Sequence, residues 1–214
     1  IIASFQTGAV SYLYYADRIY QINLAIAGIA VGTVVLPNLS KKIKENNKSF
    51  INNLQNKSLE LSLALSLPAA FGLFIASREI VSSLFGYGSF NENDTENTSL
   101  ALMYFALGVP AFALIKVLSS FYFARDNTKT PFYISLFSMI TNVFISLAFF
   151  EKYGFVIIPI ATTLSSWLLF LIYFIFFNKN KNLIKKDEAQ IDKNVDNKIL
   201  DLKYNAIDED GNSY

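Results

Sequence analysis

The sequence predicts an all-α fold, a polytopic bundle of membrane helices, and its composition and charge placement are the two observations that indicate it. Of its 214 residues, 53% are hydrophobic and 16% are charged, whereas soluble domains carry about 25% charged residues. The charges cluster between long apolar runs, which is typical of a chain that crosses a bilayer several times. A net charge of +1 gives no sign of a nucleic-acid partner either way, and none is expected. The lack of cysteine and histidine excludes thiol chemistry, imidazole bases and the usual transition-metal sites.

Five apolar segments are each long enough to span a bilayer, some of them with tilt. They cover residues 8–38, 54–77, 98–123, 131–150 and 155–177. Pro37 is expected to close the first, because proline cannot donate a backbone hydrogen bond to the preceding turn. The chain begins with a short apolar stretch and no initiator methionine, so we expect a fragment that starts at the end of an earlier helix.

The polar segments give an orientation. Residues 39–53, 124–130 and the start of the tail are basic, whereas residues 86–97 are acidic and 151–154 are balanced. Because cytoplasmic loops carry an excess of Lys and Arg, the first group is predicted to be cytoplasmic and the second external. Residues 1–177 then form the transmembrane bundle, and residues 178–214 form a polar cytoplasmic tail that is mostly disordered.

A pair of opposite charges lies inside the first apolar segment. Asp17 and Arg18 are its only charged residues between Gly8 and Pro37, a run of roughly 44 Å of helix, which exceeds a hydrocarbon core of about 30 Å. A lone ion at the middle of a membrane helix costs at least about 2.5–3.5 kcal/mol. The planar fork of Arg18 suits phosphate or pyrophosphate. Residue chemistry leaves a second interpretation open, an ion pair that locks two helices together.

A polar stripe surrounds this pair. At about 100° per residue, its members fall within about 120° of one another on the helix. They are Ser11, Tyr14, Asp17, Arg18 and Gln21, followed by the small residues Ala25, Gly28 and Gly32. The stripe predicts a helix that lines an aqueous cavity at one end and packs closely at the other, since small residues let backbones approach.

Further polar residues lie inside the later segments. Lys116 lies about 13 Å of helix before Arg125. Either it extends its alkyl stem to the membrane surface, or it adds a second positive charge to the cavity. Asn142 and Thr162 form hydrogen bonds between helices in one interpretation and supply oxygen atoms to a cation in the other.

Four segments in order along the chain carry a family resemblance. They are residues 8–18 (GAVSYLYYADR), 28–37 (GIAVGTVVLP), 84–90 (LFGYGSF) and 121–131 (FYFARDNTKTP). Over residues 1–178 the sequence closely resembles the MurJ (MviN) family, the lipid II flippases of the multidrug/oligosaccharidyl-lipid/polysaccharide exporter superfamily. The resemblance implies a multi-pass transporter of the bacterial inner membrane, not an enzyme. Such a transporter carries lipid II, a peptidoglycan precursor, outward by alternating access.

The resemblance also implies which residues bind the substrate. The family's Tyr-Ala-Asp-Arg motif lines a cationic cavity for the pyrophosphate and sugar headgroup, and its nearby serine shares that cavity. Together with the polar stripe and the second intramembrane cation, the predicted substrate-binding set is Arg18, Asp17, Ser11, Tyr15, Gln21 and Lys116.

No cofactor is implied beyond a coupling monovalent cation or the membrane potential. Some members of the family bind sodium, and Asn142 and Thr162 fall on that site. Ser146 stands where an acidic partner would be expected, which departs from the pattern.

The resemblance places the five spans at helices eight to twelve of a two-lobed transporter. In the family, an N-terminal lobe with other essential arginines precedes this region and two helices follow it, so we expect the chain to need that lobe, besides membrane lipids, for transport. One alternative is another exporter of the superfamily, for polysaccharide-lipids or drugs. Another is a membrane enzyme acting on polyprenyl phosphates, which would need clustered carboxylates with a metal or a His/Arg motif.

Overall fold

The computed structural model describes residues 2–44 and 48–179, and this part of the chain is helical, without β-strands. Its elements are a 3-10 turn (Ile2–Phe5), α1 (Ala9–Leu24), a π-helical segment (Ala25–Ala30), α2 (Val31–Lys44), α3 (Lys48–Ile75), α4 (Ser77–Phe85), α5 (Glu92–Ala106), α6 (Val109–Phe123), α7 (Lys129–Tyr153), a 3-10 turn (Gly154–Val156) and α8 (157–179). The all-α membrane fold expected from the sequence is confirmed. The predicted tail lies outside the described residues from 180 onward.

Length and apolar composition identify the elements that can cross a membrane. Phe50–Ile75 and Lys129–Lys179 qualify, and α5 with α6 makes a third span if the pair, bent by 47°, is counted as one. The sequence predicted one apolar segment over 98–123 with a kink near Gly108 and Pro110, whereas the helix starts at Glu92 and breaks between Ala106 and Val109.

The long stretch from residue 129 to 179 is a helical hairpin. Ser138 Oγ donates to the Ser165 carbonyl at 3.1 Å, and Asn142 Nδ2 donates to Thr162 Oγ1 at 3.0 Å. Residues later in α7 therefore meet residues earlier in α8, so the two helices run antiparallel. The chain reverses at Gly154, whose φ of 62° is a conformation that glycine adopts without steric cost.

The first helical run continues past the residue expected to end it. Pro37 lies inside α2, which extends to Lys44, so the expectation that Pro37 closes the helix is wrong. Nearby side chains bond backbone carbonyls: Asn38 Nδ2 donates to the Val34 carbonyl and Ser40 Oγ to the Leu36 carbonyl, both at 2.9 Å. These bonds lie next to the Thr33 carbonyl, to which Pro37 has no N–H to donate, and membrane helices tolerate proline where surrounding groups compensate.

The acidic stretch predicted as a loop starts a helix. Asn91 caps α5: its side-chain oxygen accepts from the Asp94 backbone N–H, and the Asp94 carboxylate accepts from the Asn91 N–H, each at 3.0 Å. Glu92 forms an exposed ion pair with Arg78 of α4. Carboxylates stabilise a helix N-terminus, which gives these acidic residues a structural role.

The interior and the outer surface differ as expected for a membrane protein. The core of the compact unit Ile1–Tyr173 is formed by α1, α5 and the start of α6, where Ala16, Leu102 and Val109 are fully buried. Large apolar side chains stay exposed on α3 and α7, among them Phe71 and Phe144. A water-exposed surface would rarely hold so much contiguous apolar area, whereas lipid accepts it.

Candidate functional site

One face of α1 is exposed and polar. Ser11, Tyr14, Arg18 and Gln21 are all exposed, while Tyr12, Ala16 and Ile19 on the opposite face are buried in the core. The helix is fixed by this apolar face, which leaves the other face free of contacts that would cover it. Three of the predicted substrate-binding residues therefore share one open surface with Tyr14.

Asp17 does not pair with its sequence neighbour. The half-buried carboxylate of Asp17 accepts hydrogen bonds from the Gln21 amide and from the Tyr20 hydroxyl. The Tyr20 ring is stacked against Phe105 and Phe112, with centroids 5.1 and 5.7 Å away. Asp17 is thus tied into the packed side of α1.

Arg18 is held by an aromatic residue of the preceding turn. Its Nη2 donates to the Tyr14 hydroxyl oxygen at 3.1 Å, and its guanidinium carbon lies 4.8 Å from the centre of the Tyr14 ring. Both side chains are exposed, so the positive charge faces outward. A guanidinium in this state can bind an anion with its remaining N–H groups.

Tyr15, also in the predicted set, lies elsewhere. Its half-buried ring packs against Phe85 and Phe90, with centroids 4.7 and 5.5 Å away. These rings belong to the end of α4 and the connection to α5. The contacts give Tyr15 a part in fixing α1 against this connection, and its role in substrate binding stays a prediction.

Lys116 lies in a groove that contains no residue of α1. The groove has a volume of about 660 Å³, and its walls include Gly28, Gly32, Lys116, Ser119, Phe132 and Tyr173. The Lys116 side chain is exposed. Lys116 thus lies beside Gly28 and Gly32, the small-residue end of the stripe, and a site shared with Arg18 stays a prediction.

Asn142 and Thr162 are brought together as a hydrogen-bonded pair between helices. Thr162 Oγ1 accepts from Asn142 and donates to the Ile158 carbonyl at 2.8 Å. Ser146 Oγ is buried without a hydrogen-bond partner among the described residues. A hard cation needs several converging oxygen ligands, and an amide that donates N–H to the threonine does not form such a set. No group of three His, Cys, Asp or Glu residues suited to a metal occurs in the described ranges.

A second polar contact, which the sequence did not indicate, joins α3 to the end of α6. Arg125 Nη1 donates to the Phe121 carbonyl at 2.9 Å. In the amide orientation that satisfies both groups, Gln55 Oε1 accepts from Arg125 Nη2 and Nη1 at 3.1 and 3.2 Å. Burial lowers the pKa of the Arg125 guanidinium from its usual value. Gln55 is 1% exposed, so its amide has little access to water.

Replacing Gln55 with leucine is expected to destabilise the protein by about 0.5–1.5 kcal/mol, because it removes the hydrogen bonds that the buried Gln55 amide accepts from Arg125. Unfolding in mixed micelles, followed by circular dichroism, measures the change. Gln21→Leu, at an exposed glutamine, is the matched control and is expected to shift the unfolding midpoint less. A midpoint for Gln55→Leu equal to that of the unmodified protein would show that the contact contributes nothing.

Comparisons with known proteins agree with the membrane fold and the motifs. The sequence profile of the family "Lipid II flippase MurJ" matches residues 1–199. A "Probable lipid II flippase MurJ" of Rickettsia prowazekii is 42% identical over 166 residues, which are 78% of this chain and 33% of that protein. One of Rhizobium tropici is 37% identical over 183 residues, 86% of this chain and 34% of that protein.

A solved structure, "Lipid II flippase MurJ, inward closed conformation", superposes with a TM-score of 0.74 at 32% sequence identity. It covers 83% of this chain, which in turn matches 38% of the solved one. The chain therefore spans about a third of the length of the curated relatives it matches. These relatives are named as flippases, which are transporters. The profile match over most of the chain, together with the shared fold, shows that the chain belongs to the lipid II flippase MurJ family.

Proposed function

We propose that this chain forms part of a flippase that moves lipid II across the bacterial inner membrane, and that the exposed polar face of α1 contributes to its headgroup site. The observation that carries the proposal is the outward-facing guanidinium of Arg18, which no carboxylate contacts among the described residues. The diphosphate of a lipid-linked sugar is an anion that such a fork binds well.

The chemistry follows from the position of the charge. A diphosphate headgroup cannot enter the hydrocarbon core without a polar path, and α1 supplies hydroxyl, amide and guanidinium groups along one face. The attraction between Arg18 and a phosphate is stronger where water is scarce and the effective dielectric constant is low. Alternating access would then expose this loaded face first to the cytoplasm and later to the outside.

The remaining parts of the proposal concern sidedness and partners. By the excess of Lys and Arg in cytoplasmic loops, the proposal places residues 39–53, 124–130 and the tail on the cytoplasmic side, and residues 86–97 and 151–154 on the external side. Since this chain matches about a third of its relatives, the other charges of the headgroup site come from a preceding lobe. Coupling to a monovalent cation or to the membrane potential is part of the same proposal.

The alternatives differ in what they require. Another exporter of the superfamily could use the same α1 face, so only the transported substrate separates it from a lipid II flippase. An enzyme acting on polyprenyl phosphates would need clustered carboxylates with a metal. Two acidic residues of the α4–α5 region have structural roles instead: Asp94 forms a helix cap and Glu92 an ion pair.

A graft tests the proposal. Residues 1–178 replace the matching stretch of the Rickettsia prowazekii relative, and the graft is expressed in bacteria depleted of their own lipid II flippase. We expect growth rescue and outward movement of lipid II in proteoliposomes. A graft that inserts in the membrane at a normal level but moves a drug or another polysaccharide-lipid, and not lipid II, would contradict the proposal that lipid II is the substrate.

A further inference from the structure

The side chains of Asp17 and Arg18 take separate partners one helical turn away. Arg18 meets Tyr14 and Asp17 meets Gln21, and each pair is four residues apart, the spacing at which helix side chains face each other. The Asp17 carboxylate is directed to the Gln21 amide, and its charge still acts on the neighbouring guanidinium of Arg18 through space.

Tyr14 holds the guanidinium by two contacts of different kinds. The hydroxyl oxygen accepts one N–H at 3.1 Å, and the ring lies 4.8 Å from the guanidinium carbon, within the range of a cation–π interaction. Neither contact carries a negative charge. Tyr14 can therefore restrict the rotamers of Arg18 without neutralising it, and the remaining guanidinium N–H groups can bind an anion.

We propose that Tyr14 is the positioning residue of Arg18, which orients the guanidinium toward the diphosphate of a lipid-linked headgroup. The substrate in this statement rests on the proposed function; the orientation of Arg18 does not. An arginine held before binding loses less conformational freedom when the ligand arrives, so preorganisation raises affinity without a new contact to the ligand.

Two variants distinguish the hydrogen bond from the ring contact, and two measurements distinguish the positioning of Arg18 from its effect on headgroup binding. Tyr14→Phe keeps the ring and removes the hydroxyl acceptor, whereas Tyr14→Leu removes both. Tyr133→Phe, at an exposed tyrosine of α7, is the matched control. Nitrogen-15 NMR of the reconstituted chain reports rotation of the Arg18 guanidinium, and assignment is tractable because Arg18, Arg78 and Arg125 are the arginines of the sequence.

In the NMR measurement, Tyr14→Phe is expected to speed rotation of the guanidinium and Tyr14→Leu to speed it further. In proteoliposomes holding the graft, Tyr14→Phe is expected to raise the half-saturating lipid II concentration about 2- to 10-fold, the cost of ordering one long side chain on binding, with an unchanged maximal rate. In an Arg18→Ala background, the same change should have no further effect.

The outcomes are distinct. Guanidinium rotation in Tyr14→Phe equal to that in the Tyr133→Phe control overturns the positioning role, whatever the transport result. Faster guanidinium rotation with an unchanged half-saturating lipid II concentration would show that positioning by Tyr14 does not matter for headgroup binding. If the unmodified graft moves no lipid II, the proposed function fails, and the NMR measurement still decides whether Tyr14 holds Arg18.

Discussion

Replacing Arg18 with alanine in the graft is expected to abolish growth rescue in flippase-depleted cells. The guanidinium would make charge-assisted hydrogen bonds to phosphate oxygens, and losing one such bond weakens binding by about 10- to 150-fold, the equivalent of about 1.5–3 kcal/mol. Arg18→Lys keeps the charge but loses the planar fork and its contact with the Tyr14 ring, so we expect only partial rescue. Growth over a range of induction levels, with lipid II movement in proteoliposomes, measures both effects.

The matched control for this experiment is Arg78→Ala. Arg78 is an exposed arginine whose pKa is raised by its hydrogen bond to Glu92, and that ion pair joins α4 to α5 without a residue of α1. Exposed ion pairs contribute little to stability, so the control graft should rescue growth normally. Full rescue by Arg18→Ala at an equal level of membrane insertion would remove Arg18 from the headgroup site.

The α1 site shows what sequence periodicity could and could not predict. The stripe of Ser11, Arg18 and Gln21 was visible from helical spacing, and the structure exposes these residues on one face. The pairing of Asp17 with Arg18 was suggested by adjacency alone. Neighbours in sequence diverge by about 100° around a helix, and partners lie three or four residues away, so the spacing itself contained the signal for the Tyr14 contact.

Other features depend on contacts between distant parts of the chain. Gln55 and Arg125 meet because α3 packs against α6, and no local pattern in either segment indicates the other. Pro37 was expected to end its helix from its own chemistry, but α2 continues through it to Lys44. The contact partner of Gln55 is set by how distant helices pack, which the sequence of either segment alone does not reveal.

Gly28→Val is expected to destabilise the protein by about 1–3 kcal/mol, the usual cost of overpacking a close contact. A Cβ atom at Gly28 would lie 3.0 Å from the Ala113 Cα atom and 3.2 Å from Leu24 Cδ1. Because the first of these atoms is backbone, α6 as a whole would have to move away from the π-helical segment. The sequence predicted close packing at this end of the stripe, and the substitution tests that packing by unfolding in mixed micelles.

Gly72→Val is the matched control, since a Cβ atom at Gly72 of α3 would meet nothing within 4 Å. Glycine in a helix interior is destabilising by roughly 0.5–1 kcal/mol relative to alanine, so this variant should be neutral or slightly stabilised. Equal unfolding midpoints for the two variants would show that α6 shifts without cost at Gly28. A loss of stability at Gly28 alone would instead show that the two ends of the stripe have different roles. The polar end stays exposed and can bind an anion, and the small-residue end packs against α6.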